Sequence, residues 1–171
     1  FKKLPWEQEM PLIPIAVAAL QPVVIMVKSD APYKDLASLI AHAKANPDTL
    51  TYGTGGSGSA PHFSAEAFQQ AAGVKLMHVP YKGAGDAMTG LISGQIDMVL
   101  LSTPSVVSQL KANRVRALAT SGSKRLASFP NIPTFTEAGL PGFGITTWVG
   151  VAAPLATPKD SVPRLNPETR N

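Results

Sequence analysis

The segment Tyr52–His62, with the sequence YGTGGSGSAPH, places glycines and hydroxyl side chains between a short apolar run and a helix-like segment. Glycines allow a backbone to approach an anion closely, and Thr54, Ser57 and Ser59 add hydroxyl donors. The N-terminus of the following helix supplies unpaired N–H groups and a partial positive charge. These features predict a loop that binds a carboxylate or a phosphate without lysine or arginine. A tight strand-to-helix turn, in which Ser59 only caps the helix, is the alternative that the pattern leaves open.

The glycine spacing in this segment does not match the common nucleotide-binding and hydrolase loops. The GK[ST] ending of a Walker A loop is absent, and the glycines do not fit the GxGxxG fingerprint. The stretch Gly55–Gly56–Ser57–Gly58 also lacks the GxSxG offset of a nucleophile elbow. A Ser57–His62 nucleophile pair is conceivable, although no acidic residue is placed to orient the histidine. An enzyme acting on a phosphorylated or acyl substrate is therefore the competing function.

Three further residues are candidates for ligand contact. Tyr81 follows one predicted strand and Ser102 ends another, so both are expected at the carboxyl edge of the sheet with the glycine loop. Tyr81 offers a hydroxyl and a ring wall, and Ser102 offers a second hydroxyl. Asp97 stands at the start of a buried strand, where an unpaired charge is costly, so it should hold a loop in place or accept from a ligand. These groups include no acid–base pair, which is typical of binding without catalysis.

The composition argues against several functional classes. The 171 residues include no cysteine, which excludes disulfide scaffolds, cysteine zinc sites and thiol nucleophiles. The three histidines lack the spacing of metal ligands, and neither a metal nor a cofactor is expected. The net charge is +4, but the basic residues are scattered and not interleaved with aromatics, so no nucleic-acid partner is expected. Mild positive charge fits a small anionic ligand equally well.

Strand-like and helix-like segments alternate along the chain. Five apolar runs predict buried strands: Pro22–Lys28, Leu50–Tyr52, Val74–Val79, Ile96–Leu101 and Val115–Thr120. Four segments with helical periodicity lie between them: Lys34–Asn46, Pro61–Ala72, Ala84–Ile92 and Pro104–Ala112. The short connections indicate βαβ units and a mostly parallel sheet covered on both faces, an α/β fold. After Ser121 the alternation weakens, with one further strand at Ile145–Ala153 and a weak helix beginning at Thr157.

Several stretches resemble the periplasmic substrate-binding proteins of tripartite tricarboxylate transporters, often called Bug-type receptors. The matching motifs are YGTGGSGSAPH (Tyr52–His62), HVPYKGAGDAMTGLISGQIDM (His78–Met98), RALATSGSKR (Arg116–Arg125), FPNIPTFTEAGLPGF (Phe129–Phe143) and WVGVAAPLATP (Trp148–Pro158). The N-terminal FKKLPW and the later PVVIMV are also similar to that family. The resemblance covers nearly the whole chain, in order.

This resemblance implies a type II periplasmic-binding-protein architecture, in which two α/β lobes close on a ligand like a flytrap. Such proteins are exported, are not enzymes, and bind small carboxylates largely through backbone and hydroxyl donors. By the resemblance, one ligand-holding loop spans Thr54–Ser59, with His62 and Tyr81 nearby. The implied partners are the membrane subunits of the transporter and a small carboxylate: a dicarboxylate, a tricarboxylate, an acidic amino acid or an aromatic acid.

The family's layout also assigns lobes to the chain. Residues 32–143 would form the second lobe with the ligand loop. Residues 1–31 would be a first-lobe remnant and hinge strand, and residues 144–171 a return hinge strand with a further first-lobe remnant. The chain begins with Phe1 and shows no signal peptide, so either a leader was removed or the chain is a fragment. An exposed lobe face could support a dimer, and a remnant that binds nothing and is stable only by such association is a third interpretation.

Overall fold

The computed structural model describes residues 12–158 and 160–168. The strands in this part of the chain are β1 (Leu12–Lys28), β2 (Thr51–Thr54), β3 (Met77–Pro80), β4 (Met98–Ser102), β5 (Val115–Thr120) and β6 (Thr146–Pro154). The α-helices are α1 (Leu36–Ala45), α2 (Ala60–Ala72), α3 (Ala84–Ser93), α4 (Val107–Lys111) and α5 (Ser161–Glu168). A 3₁₀ turn, Thr103–Ser105, precedes α4. The FKKLPW motif and the predicted helix residues beyond 168 lie outside the described residues.

The chain divides into two compact units. The larger unit comprises residues 22–147, and its sheet has the strand order β3-β2-β4-β1-β5. The smaller unit comprises the described residues before 22 and after 147. In it, β6 pairs with β1, and a Cβ atom on Gly150 would lie 3.3 Å from the Ala16 carbonyl oxygen.

Strand direction differs from the expected mostly parallel sheet. β2 runs parallel to both β3 and β4, as predicted, whereas β1 runs antiparallel to both β4 and β5. The prediction is therefore wrong for β1, which opposes the other strands of the larger unit. An apolar run reports that a strand is buried on both faces, and it carries no information about direction. The observed architecture is a mixed α/β sheet.

Helices cover both faces of this sheet, as predicted. Alternate residues of β1 belong to different cores, with Ile25 on one face and Met26 on the other, and both are fully buried. The first face packs against α1 and α2, and Phe68 of α2 is among its largest buried side chains. The second face packs against α3 through residues such as Leu91. Full burial of one such side chain contributes about 1.5–3 kcal/mol.

Two elements differ in extent from the sequence prediction. β1 begins at Leu12 and passes through Pro14 and Pro22, whereas the sequence predicted a strand that begins only at Pro22. A proline lacks only the donor of a ladder hydrogen bond, so a strand can pass through it where that donor is not needed. The predicted helix Pro104–Ala112 is split at Val106, which has backbone angles of φ −120° and ψ −16° and is fully buried. The 3₁₀ turn and α4 therefore form two pieces.

Candidate ligand-binding site

Three parallel strands end at the same edge of the larger unit's sheet. Thr54 of β2 pairs with Pro80 of β3, and the Tyr81 N–H donates to the Thr54 carbonyl at 2.9 Å. β4 is also parallel to β2 and ends at Ser102. The structure thus brings Thr54, Tyr81 and Ser102 to one edge, where open α/β sheets bind their ligands.

The glycine-rich loop connects this edge to α2. Gly56 has φ +128° and Gly58 has φ +75°, and other residues rarely adopt such angles. Ser59 occupies the N-cap position of α2, as predicted, but its side chain does not cap the helix. The Ser59 hydroxyl instead donates to the Gly56 carbonyl at 2.7 Å, which closes the loop on itself. The first-turn N–H groups of α2 are left without a side-chain cap, a favourable arrangement for an anion.

The same loop lies against the beginning of α3. A Cβ atom on Gly55 would come within 3.1 Å of the Ala84 nitrogen and 3.3 Å of the Gly83 carbonyl carbon. Gly83 is the N-cap of α3 and offers no side-chain cap. Glycine at position 55 therefore allows two uncapped helix N-termini to approach one loop, and both contribute partial positive charge there.

His62 makes contacts that differ from those of a catalytic base. Its Nδ1 atom accepts the Gly58 N–H at 3.0 Å, and its Nε2 atom lies 3.7 Å from a Glu66 carboxylate oxygen. The two ring nitrogens are therefore directed at the loop backbone and at Glu66, and not at Ser57. The nucleophile pair that the sequence allowed is not formed. His62 supports the loop from the first turn of α2.

His78, which the sequence analysis did not select, is a second support of the loop. Its Nε2 atom lies 2.7 Å from the hydroxyl of Thr54, which is fully buried. The same hydroxyl accepts the Gly56 N–H at 3.3 Å. The rings of His62 and His78 stack with centroids 4.1 Å apart, and the Tyr52 ring stacks with that of His78 at 4.9 Å. Burial, and then the neighbouring His62, lower the pKa of His78.

An acidic residue of α2, Glu66, supports the Tyr52 ring of this stack. The Tyr52 hydroxyl donates to the Glu66 carboxylate at 2.6 Å, and the Gln69 amide donates to the same oxygen at 2.9 Å. Burial and this carboxylate together raise the pKa of Tyr52. The stack was missed because Tyr52 and His78 face each other only through the register of β2 with β3. The motif HVPYKG, which contains His78, was the only sequence feature that could have pointed to this histidine.

Asp97 lies away from the other candidates. Its carboxylate accepts from the Thr51 N–H at 2.8 Å and from the Thr51 hydroxyl at 2.7 Å. Thr51 begins β2 while Thr54 ends it, about 10 Å away at the usual rise of a strand. The prediction that Asp97 contacts the ligand does not fit this position, because Asp97 lies at the amino ends of the parallel strands and the candidate site lies at their carboxyl ends. Its other expected role, holding a loop in place, fits.

Tyr81 reaches the expected edge with its backbone, while its ring packs toward α3. A methyl group on Gly90 of α3 would overlap the Tyr81 hydroxyl, and one on Gly53 would come within 3.2 Å of the ring. Ser102 is half-buried, with its hydroxyl 3.4 Å from that of Ser105. A direct contact of Tyr81 or Ser102 with a ligand stays a prediction.

No group of three or more His, Asp or Glu side chains in residues 12–158 and 160–168 could hold a metal ion. None of the helices in that part of the chain is both long enough and apolar enough to cross a membrane.

The fold and this edge define a class of protein. The fold is shared with solved periplasmic binding proteins: the structure of the periplasmic binding protein BugD superimposes with a TM-score of 0.85 at 32% identity, covering 92% of this chain and 53% of that one. The model of the tripartite tricarboxylate transporter family receptor, TctC, matches residues 1–171, and the chain belongs to that family. The family and the fold are those of substrate-binding receptors.

Individual relatives agree with this assignment. A UPF0065 protein of a Pseudomonas species, from the tcbD-tcbE intergenic region, is 37% identical over 98% of this chain and 50% of its own length. A solved structure from R. palustris with adipate superimposes with a TM-score of 0.93 at 31% identity, covering 99% of this chain and 56% of that one. MatC of Rhodopseudomonas palustris with bound malate gives a TM-score of 0.86 at 31% identity, over 92% and 54%. The chain thus spans about half the length of each of these three relatives.

Proposed function

We propose that this chain is part of an extracytoplasmic solute-binding receptor that captures a small carboxylate for a tripartite tricarboxylate-type transporter. The observation that carries the proposal is the loop Gly55–Ser59. It lies between two helix N-termini that no side chain caps, at the carboxyl edge of a sheet. Backbone N–H donors bind a carboxylate through charge-assisted hydrogen bonds without a cationic side chain.

The ligand class follows from the site and from the solved relatives together. One relative holds adipate and another holds malate, and both are dicarboxylates. In this proposal, one carboxylate of the ligand is bound by the loop Thr54–Ser59, which includes Gly55, Gly56, Ser57 and Gly58. Ser102 offers a hydroxyl at the same edge, Tyr81 reaches that edge with its backbone, and His62 supports the loop. Asp97 has no part in the ligand contact.

Calorimetric titration of the intact protein at neutral pH tests this proposal. Adipate and malate are the probes, and adipamide, the neutral diamide of adipate, is the matched control. We expect heat of binding from at least one dicarboxylate and none from the diamide, because the loop's donors select a negative charge. Equal binding of adipate and adipamide, or binding of neither dicarboxylate, would overturn the proposal.

Absence of catalysis is part of the same proposal. The contacts of His62 with Gly58 and Glu66 support it, because a general base must reach the proton that it removes. After a day with adipate, malate or their thioesters, we expect the small molecules to be recovered unchanged. Turnover that is lost in Ser57→Ala would instead favour the enzyme.

Localisation, partners and lobes are also proposed. We expect the protein to be exported to the periplasm and to deliver its ligand to the transporter's membrane subunits. Residues 32–143 would be the second lobe, which lies within the compact unit 22–147. Residues 1–31 and 144–171 would be hinge strands and remnants of the first lobe. Fractionation of cells that express the full-length protein, with detection in the periplasmic fraction, tests the localisation.

The apolar surface of the smaller unit supports the view that further protein covers it. A groove of about 530 Å³ there has an almost wholly apolar lining, and Leu12, Val17 and Trp148 on it are 49%, 57% and 66% exposed. Exposed apolar surface of this kind favours association. The missing half of the receptor would cover it, and the 171-residue chain alone would dimerise. Sedimentation of the 171-residue chain and of the full-length protein distinguishes the two cases.

A further inference from the structure

The observed form of the glycine loop depends on two histidines. The Gly58 N–H donates to His62 Nδ1 at 3.0 Å, and the Thr54 hydroxyl, which holds Gly56, contacts His78 Nε2 at 2.7 Å. The two rings are nearly parallel, with an interplanar angle of 14° and centroids 4.1 Å apart. The backbone of the loop is therefore anchored on a stacked pair of imidazoles.

The bond to Gly58 exists in only one protonation form of His62. A backbone N–H is a donor, so Nδ1 must present a lone pair, and the ring proton must lie on Nε2. Nε2 faces the Glu66 carboxylate, which suits that proton. In the imidazolium form both ring nitrogens carry protons, and Nδ1–H would point at the Gly58 N–H. Protonation thus removes the anchor and replaces it with a repulsion between two donors.

The charge state of the pair depends on the groups around it. Among the described residues, the titratable side chains in contact with His62 or His78 are Tyr52 of β2, Glu66 of α2 and the other histidine. The charge of Glu66 favours a protonated His78. The stacked neighbour disfavours it, because two imidazolium rings at 4.1 Å repel each other strongly in a partly buried site.

We propose that His62 is a positioning residue, which holds the loop in its ligand-binding form only while Nδ1 is unprotonated, so that acid weakens carboxylate capture. His78 keeps the ring of His62 in place by stacking and anchors Gly56 through Thr54. This inference rests on the proposed function, since it concerns the affinity of the same loop. The proposed pH dependence is opposite to the one expected from charge attraction alone. An imidazolium near the loop would by itself attract a carboxylate and strengthen binding at low pH.

The first experiment needs no ligand. In the intact protein, labelled with ¹⁵N-glycine and ¹⁵N-histidine, the Gly58 amide and the ring nitrogens of His62 are followed by NMR from about pH 8 to pH 5. We expect the Gly58 amide proton to move upfield as its acceptor is lost, with the same midpoint as the His62 ring. A Gly58 amide that does not respond while the ring titrates would overturn the inference, even if the protein binds no carboxylate.

The second experiment measures adipate and malate affinity over the same pH range. In wild type we expect Kd to rise about tenfold for each pH unit below the midpoint of His62, because only the fraction with neutral His62 binds. Asparagine carries its Oδ1 as many bonds from Cβ as the Nδ1 of histidine, and it does not titrate. His62→Asn should therefore bind less tightly than wild type at pH 8 but with a Kd that changes little with pH, and His62→Ala should bind weakly throughout.

Matched variants separate positioning from general acid sensitivity. His42 is exposed on α1, and its ring contacts that of Tyr33 at a centroid distance of 5.1 Å, so His42→Asn should keep the wild-type pH profile. Affinity that rises on acidification, or an unchanged pH dependence in His62→Asn, would overturn the inference. Absence of binding at pH 8 would overturn the proposed function instead, and the amide titration would still decide whether His62 positions the loop.

Discussion

The carboxylate of Asp97 accepts two hydrogen bonds from Thr51, one from its backbone N–H and one from its hydroxyl. In return, the Asp97 N–H donates to the Thr51 carbonyl at 3.1 Å. Thr51 begins β2 and Asp97 immediately precedes β4, so these bonds join the amino ends of two parallel strands. The glycine loop begins at the other end of β2. Asp97 thus fixes the register of the strand that positions the loop, and it does so from a distance.

Replacing Asp97 should therefore reduce stability and spare ligand affinity. We expect Asp97→Ala to lower the free energy of unfolding by about 2 kcal/mol, the usual contribution of hydrogen bonds to a charged group. Urea unfolding measures this loss. Thr51→Val, which removes the hydroxyl bond and keeps the backbone bond, should lose less. If Asp97→Ala abolished carboxylate binding at unchanged stability, Asp97 would be a ligand contact after all.

Gly55→Ala should weaken ligand binding because it increases the distance between the loop and the start of α3. Gly55 has no positive φ, but the methyl group of an alanine there would come within 3.1 Å of the Ala84 nitrogen. The loop must then move away from the start of α3, so its donors no longer converge. We expect adipate affinity to fall about tenfold, equivalent to about 1.4 kcal/mol, in calorimetric titration.

Gly144→Ala is the matched control for this substitution. Gly144 has no positive φ, and a methyl group there would meet nothing within 4 Å. Adipate affinity should be that of the wild type. Unchanged affinity in Gly55→Ala would mean that the approach of the loop to α3 does not matter for binding.

Much of the local structure could be predicted from the sequence. β5 has the predicted bounds, Val115–Thr120, and α2 ends at Ala72 before Gly73, which has φ +63°. These elements have local signals: an apolar run between polar turns, and a glycine that adopts the left-handed conformation ending a helix. The strand–glycine loop–helix motif is also continuous in sequence, which is why its position could be predicted.

Features that depend on distant pairing could not be predicted in the same way. The direction of β1 is set by its antiparallel ladders with β4 and β5, which are far away in sequence. The same applies to the stack of His62 on His78, and to the core contact between Phe68 and Phe135, whose ring centroids lie 6.0 Å apart. Each is a tertiary contact without periodicity, so apolar patterning cannot report it.

Gly90→Ala should destabilise the protein, although alanine normally favours a helix by about 0.5–1 kcal/mol over glycine. Gly90 is a buried residue within α3. The methyl group of an alanine at this position would overlap the Tyr81 hydroxyl. Overpacking of this kind typically costs about 1–3 kcal/mol, which exceeds the gain in propensity.

Chemical denaturation of two comparison proteins tests the cause. Gly85→Ala, also in α3, meets nothing within 4 Å and should be neutral or slightly stabilising. In a Tyr81→Ala background the clash is gone, and Gly90→Ala should then stabilise the protein. A loss that persists in that background would show that the Tyr81 ring is not what requires glycine at position 90.

His78 should make the folded state less stable in acid. Burial and the neighbouring His62 lower the pKa of His78 below its ordinary value of 6.5, so the unfolded chain binds this proton more readily than the folded one. The contribution of neutral His78 is complete above that ordinary value. It is lost as the pH falls from there toward the lower folded-state pKa. We expect the free energy of unfolding, measured with urea between about pH 7.5 and pH 5, to decrease over this range.

In His78→Gln the decrease should be smaller, because the glutamine amide can still reach the Thr54 hydroxyl and does not titrate. Parallel pH profiles for wild type and His78→Gln would mean that the acid sensitivity comes from other groups.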